Sequence, residues 1–181
     1  MGRQVFCWII VSAFLLVAAA PLSGASTGTG TQTLTATINP IGSITVPASA
    51  SFTTSVTTFH PYTSSVAVSY NARTTPTGSG TITLNITSDF TPAGGPSAAS
   101  GALSYICSGA TLGTGCSGAQ TASPSLQTPV VAIPASACTG GGGACSSAAP
   151  NSVNLVFTLT DDPGYATGSY SAKVTFTISA T

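Results

Sequence analysis

Two runs near the end of the chain constrain its fold more than any other feature. In Ser152–Thr160 the apolar residues Val153, Leu155, Phe157 and Leu159 occupy every second position, which puts all four on one face of an extended strand. The period returns in Tyr170–Ser179 as Tyr170, Ala172, Val174, Phe176 and Ile178, with Ser171, Lys173, Thr175, Thr177 and Ser179 on the other face. The connection from Asp161 to Ser169 holds Pro163, Gly164 and Gly168 and continues neither strand. We read this pair as the seed whose period the earlier strands must match.

Earlier strands follow the same rule. Ile82, Leu84 and Ile86 alternate with hydroxyl and amide side chains over Thr81–Thr87, and Val66, Val68 and Tyr70 alternate ahead of a loop over Asn71–Gly80. Leu34, Ala36 and Ile38 make a short strand stopped by Asn39-Pro40, and Ile44 and Val46 form a second apolar pair. The spacing drifts over Phe52, Val56 and Phe59, which fits either a bulge or two short strands. From Thr91 to Ser152 glycine and serine dominate, and only Leu103–Ile106 and Val130–Ile133 read as strands. About nine short strands, with no helical period outside the N-terminal stretch, predict an all-β chain folded as an antiparallel β-sandwich with a long loop region.

Charge narrows the function classes. Only 3% of the 181 residues are charged and the formal net charge is zero, against roughly 25% charged residues in ordinary soluble domains. Serine, threonine and backbone must therefore wet the surface. Past residue 25 the charged residues are Arg73, Lys173, Asp89, Asp161 and Asp162, so no basic patch exists to neutralise phosphates and nucleic acid is excluded as a partner. A surface this weakly self-repelling permits close self-association.

Arg3 precedes an apolar run from Val5 to Ala20, and Ser23-Gly24-Ala25 supplies small residues for cleavage. This is the layout of a secretory signal peptide over 1–25, leaving 26–181 as a single domain with no membrane attachment after cleavage. The expected location is extracellular or at the cell surface, through the periplasm in a Gram-negative source. Cys7 leaves with the signal. The remaining cysteines, Cys107, Cys116, Cys138 and Cys145, are an even set in an exported chain and read as two disulfides. Three connectivities are open; Cys107–Cys116 with Cys138–Cys145 is preferred because each pair closes a glycine-rich loop. The intervals are longer than the C-x₂₋₄-C of zinc sites, so no metal is expected.

The inventory for catalysis is thin. His60 is the single histidine, no glutamate occurs, and Asp161-Asp162 are adjacent turn formers before Pro163-Gly164. No enzyme activity and no cofactor are expected. Asn85-Ile86-Thr87 matches a glycosylation sequon but lies inside a strand, so no modification is expected there. Tyr105 is the large aromatic side chain of the 91–150 region and is the candidate loop contact for a ligand.

The ending Gly168-Ser169-Tyr170 with its alternating run to Ile178 resembles the last strand of secreted bacterial pilin-like β-sandwich domains, including spore coat U-type and fimbrial subunits. Thr33–Ile38 resembles the opening strand of that group. The resemblance implies an Ig-like fold and a structural subunit of a pilus, fimbria or coat. It also implies partners that are copies of the chain or related surface subunits, joined through a donated strand carrying Leu34, Ala36 and Ile38. The alternative for that strand is pairing within its own sandwich. The alternative for the whole chain is a monomeric secreted adhesion or ligand-binding module that uses the 91–150 loops, in which Gly109–Gly115 is dispensable for folding.

Overall fold

The computed structural model describes residues 32–53, 58–138, 145 and 148–181. The expected signal peptide, its cleavage site and Val56 lie outside the described residues. Among these residues nine strands form: β1 (Ile41–Thr45), β2 (Tyr62–Arg73), β3 (Gly80–Thr91), β4 (Leu103–Ser108), β5 (Thr114–Gly115), β6 (Gln120–Thr121), β7 (Thr128–Ile133), β8 (Asn151–Leu159) and β9 (Ser171–Ala180). One sheet has the order β1-β2-β8-β4-β6 and the other β5-β7-β3-β9, and all pairs are antiparallel.

Alternation becomes packing directly. On β8 the odd residues from Asn151 to Leu159 are buried and the even ones are half-exposed. Val68, Ile82, Leu84, Leu155 and Val130 are fully buried at the centre of one core between the sheets. Hydroxyls face outward on β3 and β9, where the Oγ atoms of Thr81 and Ser179 lie 3.0 Å apart and those of Thr87 and Thr175 2.9 Å apart. These cross-strand pairs do the wetting that ions do elsewhere.

The two runs that seed the fold lie in different sheets. β8 sits between β2 and β4, whereas β9 pairs with β3. The connecting segment crosses from one sheet to the other, held by Thr160 N–H to the Ala102 carbonyl (2.9 Å) and Ala166 N–H to the Gly94 carbonyl (2.8 Å).

Both expected disulfides form, with Cα separations of 5.3 Å for Cys107–Cys116 and 5.4 Å for Cys138–Cys145. Cys107 is on β4 in the first sheet, and Cys116 follows β5 in the second, where its N–H donates to the Val130 carbonyl at 2.9 Å. That bridge therefore staples the two layers together.

The order β1-β2-β8-β4 reproduces the A-B-E-D sheet of the immunoglobulin arrangement, and β3-β9 reproduces C-F of the facing sheet. The immunoglobulin arrangement then adds a seventh strand, G, on the outer edge of F. Here β9 is the last strand of its sheet.

Candidate functional site

A groove opens where that seventh strand would lie. Residues that point inward from a sheet edge are normally covered by the next strand. Along β9 the inward residues Ala172, Val174, Phe176 and Ile178 stay half-exposed, although they pack against the core. β1 covers only part of this line: a Cβ at Gly42 would lie 3.1 Å from Cγ1 of Ile178, so β1 closes the Ile178 end. After Thr45, which pairs with Ser69, the chain leaves β2 and returns at Thr53, which bridges Thr63 through two 2.9 Å bonds. Seven residues, 46 to 52, arch over five of β2, 64 to 68, and the ladder is interrupted between them.

Under the arch lies a cavity of about 310 Å³, with Val66, Leu103 and Phe157 as its floor, Val174 and Phe176 as one wall and Tyr170 at its end. A second hollow of about 500 Å³, whose lining residues include Ser49, Thr53, Thr63 and Ser65 beside Pro47, Ala50 and Val156, adjoins it across the arch. The apolar cavity is at the low end of the roughly 300–1,000 Å³ typical of small-molecule pockets. Among the described residues that line it Lys173 is the one charged residue, and it belongs to the outward-facing set of β9. Among the described residues no acid and base converge there, and the groove offers apolar depressions beside a strand edge that none of the described strands pairs.

Asp89 braces the groove from behind. It sits where β3 slips register against β9, between Ser88 and Thr91. Its carboxylate accepts from Phe90 N–H (2.8 Å), Ala98 N–H (2.7 Å) and the Ser97 hydroxyl (2.6 Å). Partial burial works to raise its pKa, but the bonds from Ser97 and the amides of Ala98, Phe90 and Ala99 outweigh it and hold the carboxyl below its ordinary value.

The sequence matches no family model, no curated protein and no solved structure.

Leu34, Ala36 and Ile38 form no strand: residues 32–40 carry no secondary structure, with Leu34 88% and Ile38 72% exposed. The period is present in the sequence, but an extended segment becomes a strand only against a partner. Tyr105 corrects the expectation of a loop contact. It lies on β4 at 1% exposure, its ring 5.6 Å from that of Phe157, and its hydroxyl donates to the Pro129 carbonyl at 2.8 Å. Burial pushes its pKa up. Gly109–Gly115 is likewise structural, since it contains β5, Thr111 N–H donates to the Ser152 carbonyl (3.0 Å), and the Leu112 carbonyl accepts the hydroxyl of buried Tyr70.

Asp162 is a turn former, accepting Gly164 N–H at 2.7 Å. The Asn85 amide donates to the Ser123 and Leu126 carbonyls, both at 3.1 Å, so it is already engaged. Among the described residues, no three His, Cys, Asp or Glu side chains come together as a metal site, and no helix is long and apolar enough to cross a membrane. The two disulfides fit an oxidising, extracellular environment.

Proposed function

We propose that the chain is a secreted structural subunit of an extracellular surface assembly, without catalytic activity. In this reading, residues Leu34–Ile38 of one copy complete the sheet of the next at the outer edge of β9. The observation that carries the reading is the half-exposed apolar line Ala172-Val174-Phe176 beside an edge that no strand among the described residues covers. An incoming strand supplies ladder hydrogen bonds to the edge and an apolar side chain at every second position to the groove. Leu34, Ala36 and Ile38 have that period and are exposed. The nearly uncharged surface lets copies approach without repulsion.

Placement favours an open chain of subunits. The segment before β1 joins the body opposite Arg73, whereas the groove opens beside Val66. These residues are seven positions apart on β2, roughly 23 Å at about 3.3 Å per residue. The point where the segment joins the body and the groove are thus different surfaces, and a heterologous contact between copies whose rotation does not close extends as a filament. The alternative, a monomeric adhesion module, loses its candidate contact with Tyr105 in the core.

Size-exclusion chromatography and electron microscopy of the purified chain test this. Oligomers should form with the native sequence, disappear with Leu34→Asp plus Ile38→Asp, and be capped by excess synthetic peptide covering Gln32–Asn39. A chain that stays monomeric at high concentration and does not bind the peptide overturns the proposal.

A further inference from the structure

The second arginine of the sequence, Arg73, has an unusual use in a chain that carries three Lys and Arg residues in all. Its side chain crosses the start of β1 and points both Nε and Nη2 at one backbone atom, the Asn39 carbonyl oxygen, at 3.1 Å and 2.6 Å. Asn39 is exposed, so water could satisfy that carbonyl equally well. Solvation therefore does not explain the arrangement. A planar guanidinium holding one acceptor by two donors does something water cannot, which is to fix the direction of the carbonyl. A second restraint acts on the same residue: Pro40 fixes its own φ and confines Asn39 to extended conformations. Immediately afterwards Ile41 enters the ladder opposite Arg73.

We propose that Arg73 and Pro40 form a fixed elbow at Asn39 that holds residues 37–40 in one direction where they enter β1. Arg73 is then the positioning residue that determines how one subunit is oriented on the next. This rests on the assembly reading for its consequence, but the elbow belongs to the single chain and can be measured there. Its role in an assembly is stiffness. A swivelling connection gives a flexible string of subunits, and a fixed one gives a regular repeat.

The test uses the full chain with Cys7→Ser, spin labels at Thr37→Cys and Ala67→Cys, and distance distributions from pulsed electron resonance under conditions that keep it monomeric. With Arg73 present the distribution should be narrow. Arg73→Ala should broaden it at least twofold, Arg73→Lys should restore part of the order, and Asp161→Asn should leave it unchanged. Pro40→Ala, which leaves the ladder intact, should broaden it independently and serves if Arg73→Ala does not fold. Equal widths for the parent, Arg73→Ala and Pro40→Ala overturn the elbow. A narrow parent distribution in a chain that never oligomerises supports the elbow and sinks the assembly reading. A broad parent distribution in a chain that polymerises does the reverse.

Discussion

Gly95 lies against the ring of Tyr170 so closely that a Cβ on it would stand 2.2 Å from Cε1. The Tyr170 hydroxyl donates to the Ala166 carbonyl at 2.6 Å, and Ala166 N–H donates to the Gly94 carbonyl at 2.8 Å. Two loops therefore lock together around the ring that ends the groove. Gly95→Ala should displace the ring and cost about 1–3 kcal/mol, as overpacking does. Calorimetry should show a lower Tm, and Tyr170→Ala added to Gly95→Ala should cost less than the sum of the single variants. Additive losses would show that the contact is not what constrains residue 95.

Asp89 predicts an acid limb in stability. Its pKa is lowered in the fold, so the native state holds fewer protons than the unfolded one as its carboxylate titrates. The contribution is full above the ordinary aspartate value of about 3.9 and is lost as pH falls through the lower folded value. Urea unfolding followed from pH 6 to pH 2 should show this loss. Asp89→Asn should flatten the limb and, because the site is partly exposed, cost only about 1 kcal/mol at neutral pH.

Tyr105→Phe should cost about 1–3 kcal/mol, since it removes the buried hydroxyl that reaches both the Pro129 carbonyl and Thr128 Oγ1 at 2.8 Å. The folded pKa is raised by burial, so stability should also fall as pH rises past the ordinary tyrosine value of about 10. That alkaline loss should shrink in the variant. If oligomers form, Tyr105→Phe should not weaken them beyond its effect on folding, because the ring reaches no surface.

Each disulfide closes a short loop, with sequence separations of 9 and 7. Chain entropy then makes the two equivalent, about 2.5 kcal/mol each. Their positions do not. Replacing Cys107 and Cys116 with serine unstaples one layer from the other and should speed amide exchange in β4, β5 and β7. Replacing Cys138 and Cys145 should confine faster exchange to the connection between β7 and β8.

Period two made β2, β3 and β8 legible, because each buries one face and exposes the other. It reports a face and not a neighbour, which is why Ser152–Thr160 and Tyr170–Ser179 could be drawn as strands but not assigned to opposite sheets. β5 and β6, at two residues each, are too short to show any period. They depend on tertiary fits such as Gly113, at φ 86°, where a Cβ would meet the Ala132 carbonyl oxygen at 2.3 Å. Tyr105 lies in Leu103–Ile106, which already read as a strand, but four residues flanked by glycine and serine do not show that the face carrying Tyr105 is the buried one. Asp89 had a signal, an aspartate at the end of a strand just before Pro92 and Gly94-Gly95, where a carboxylate collects the amides of a turn. The groove had none, since an edge left open by the described strands is visible only once their order is known.

The scarcity of charge has one more result. A protease that cuts after lysine or arginine finds only Arg73 and Lys173 among the described residues, each within a strand paired to a neighbour. Cleavage requires an extended, unpaired stretch of backbone in the enzyme's cleft, and opening these strands means breaking the fold. Among the described residues, trypsin-like enzymes therefore meet two candidate bonds, each tied to a neighbouring strand, and resistance to such cutting follows from the same composition that leaves the surface to hydroxyls.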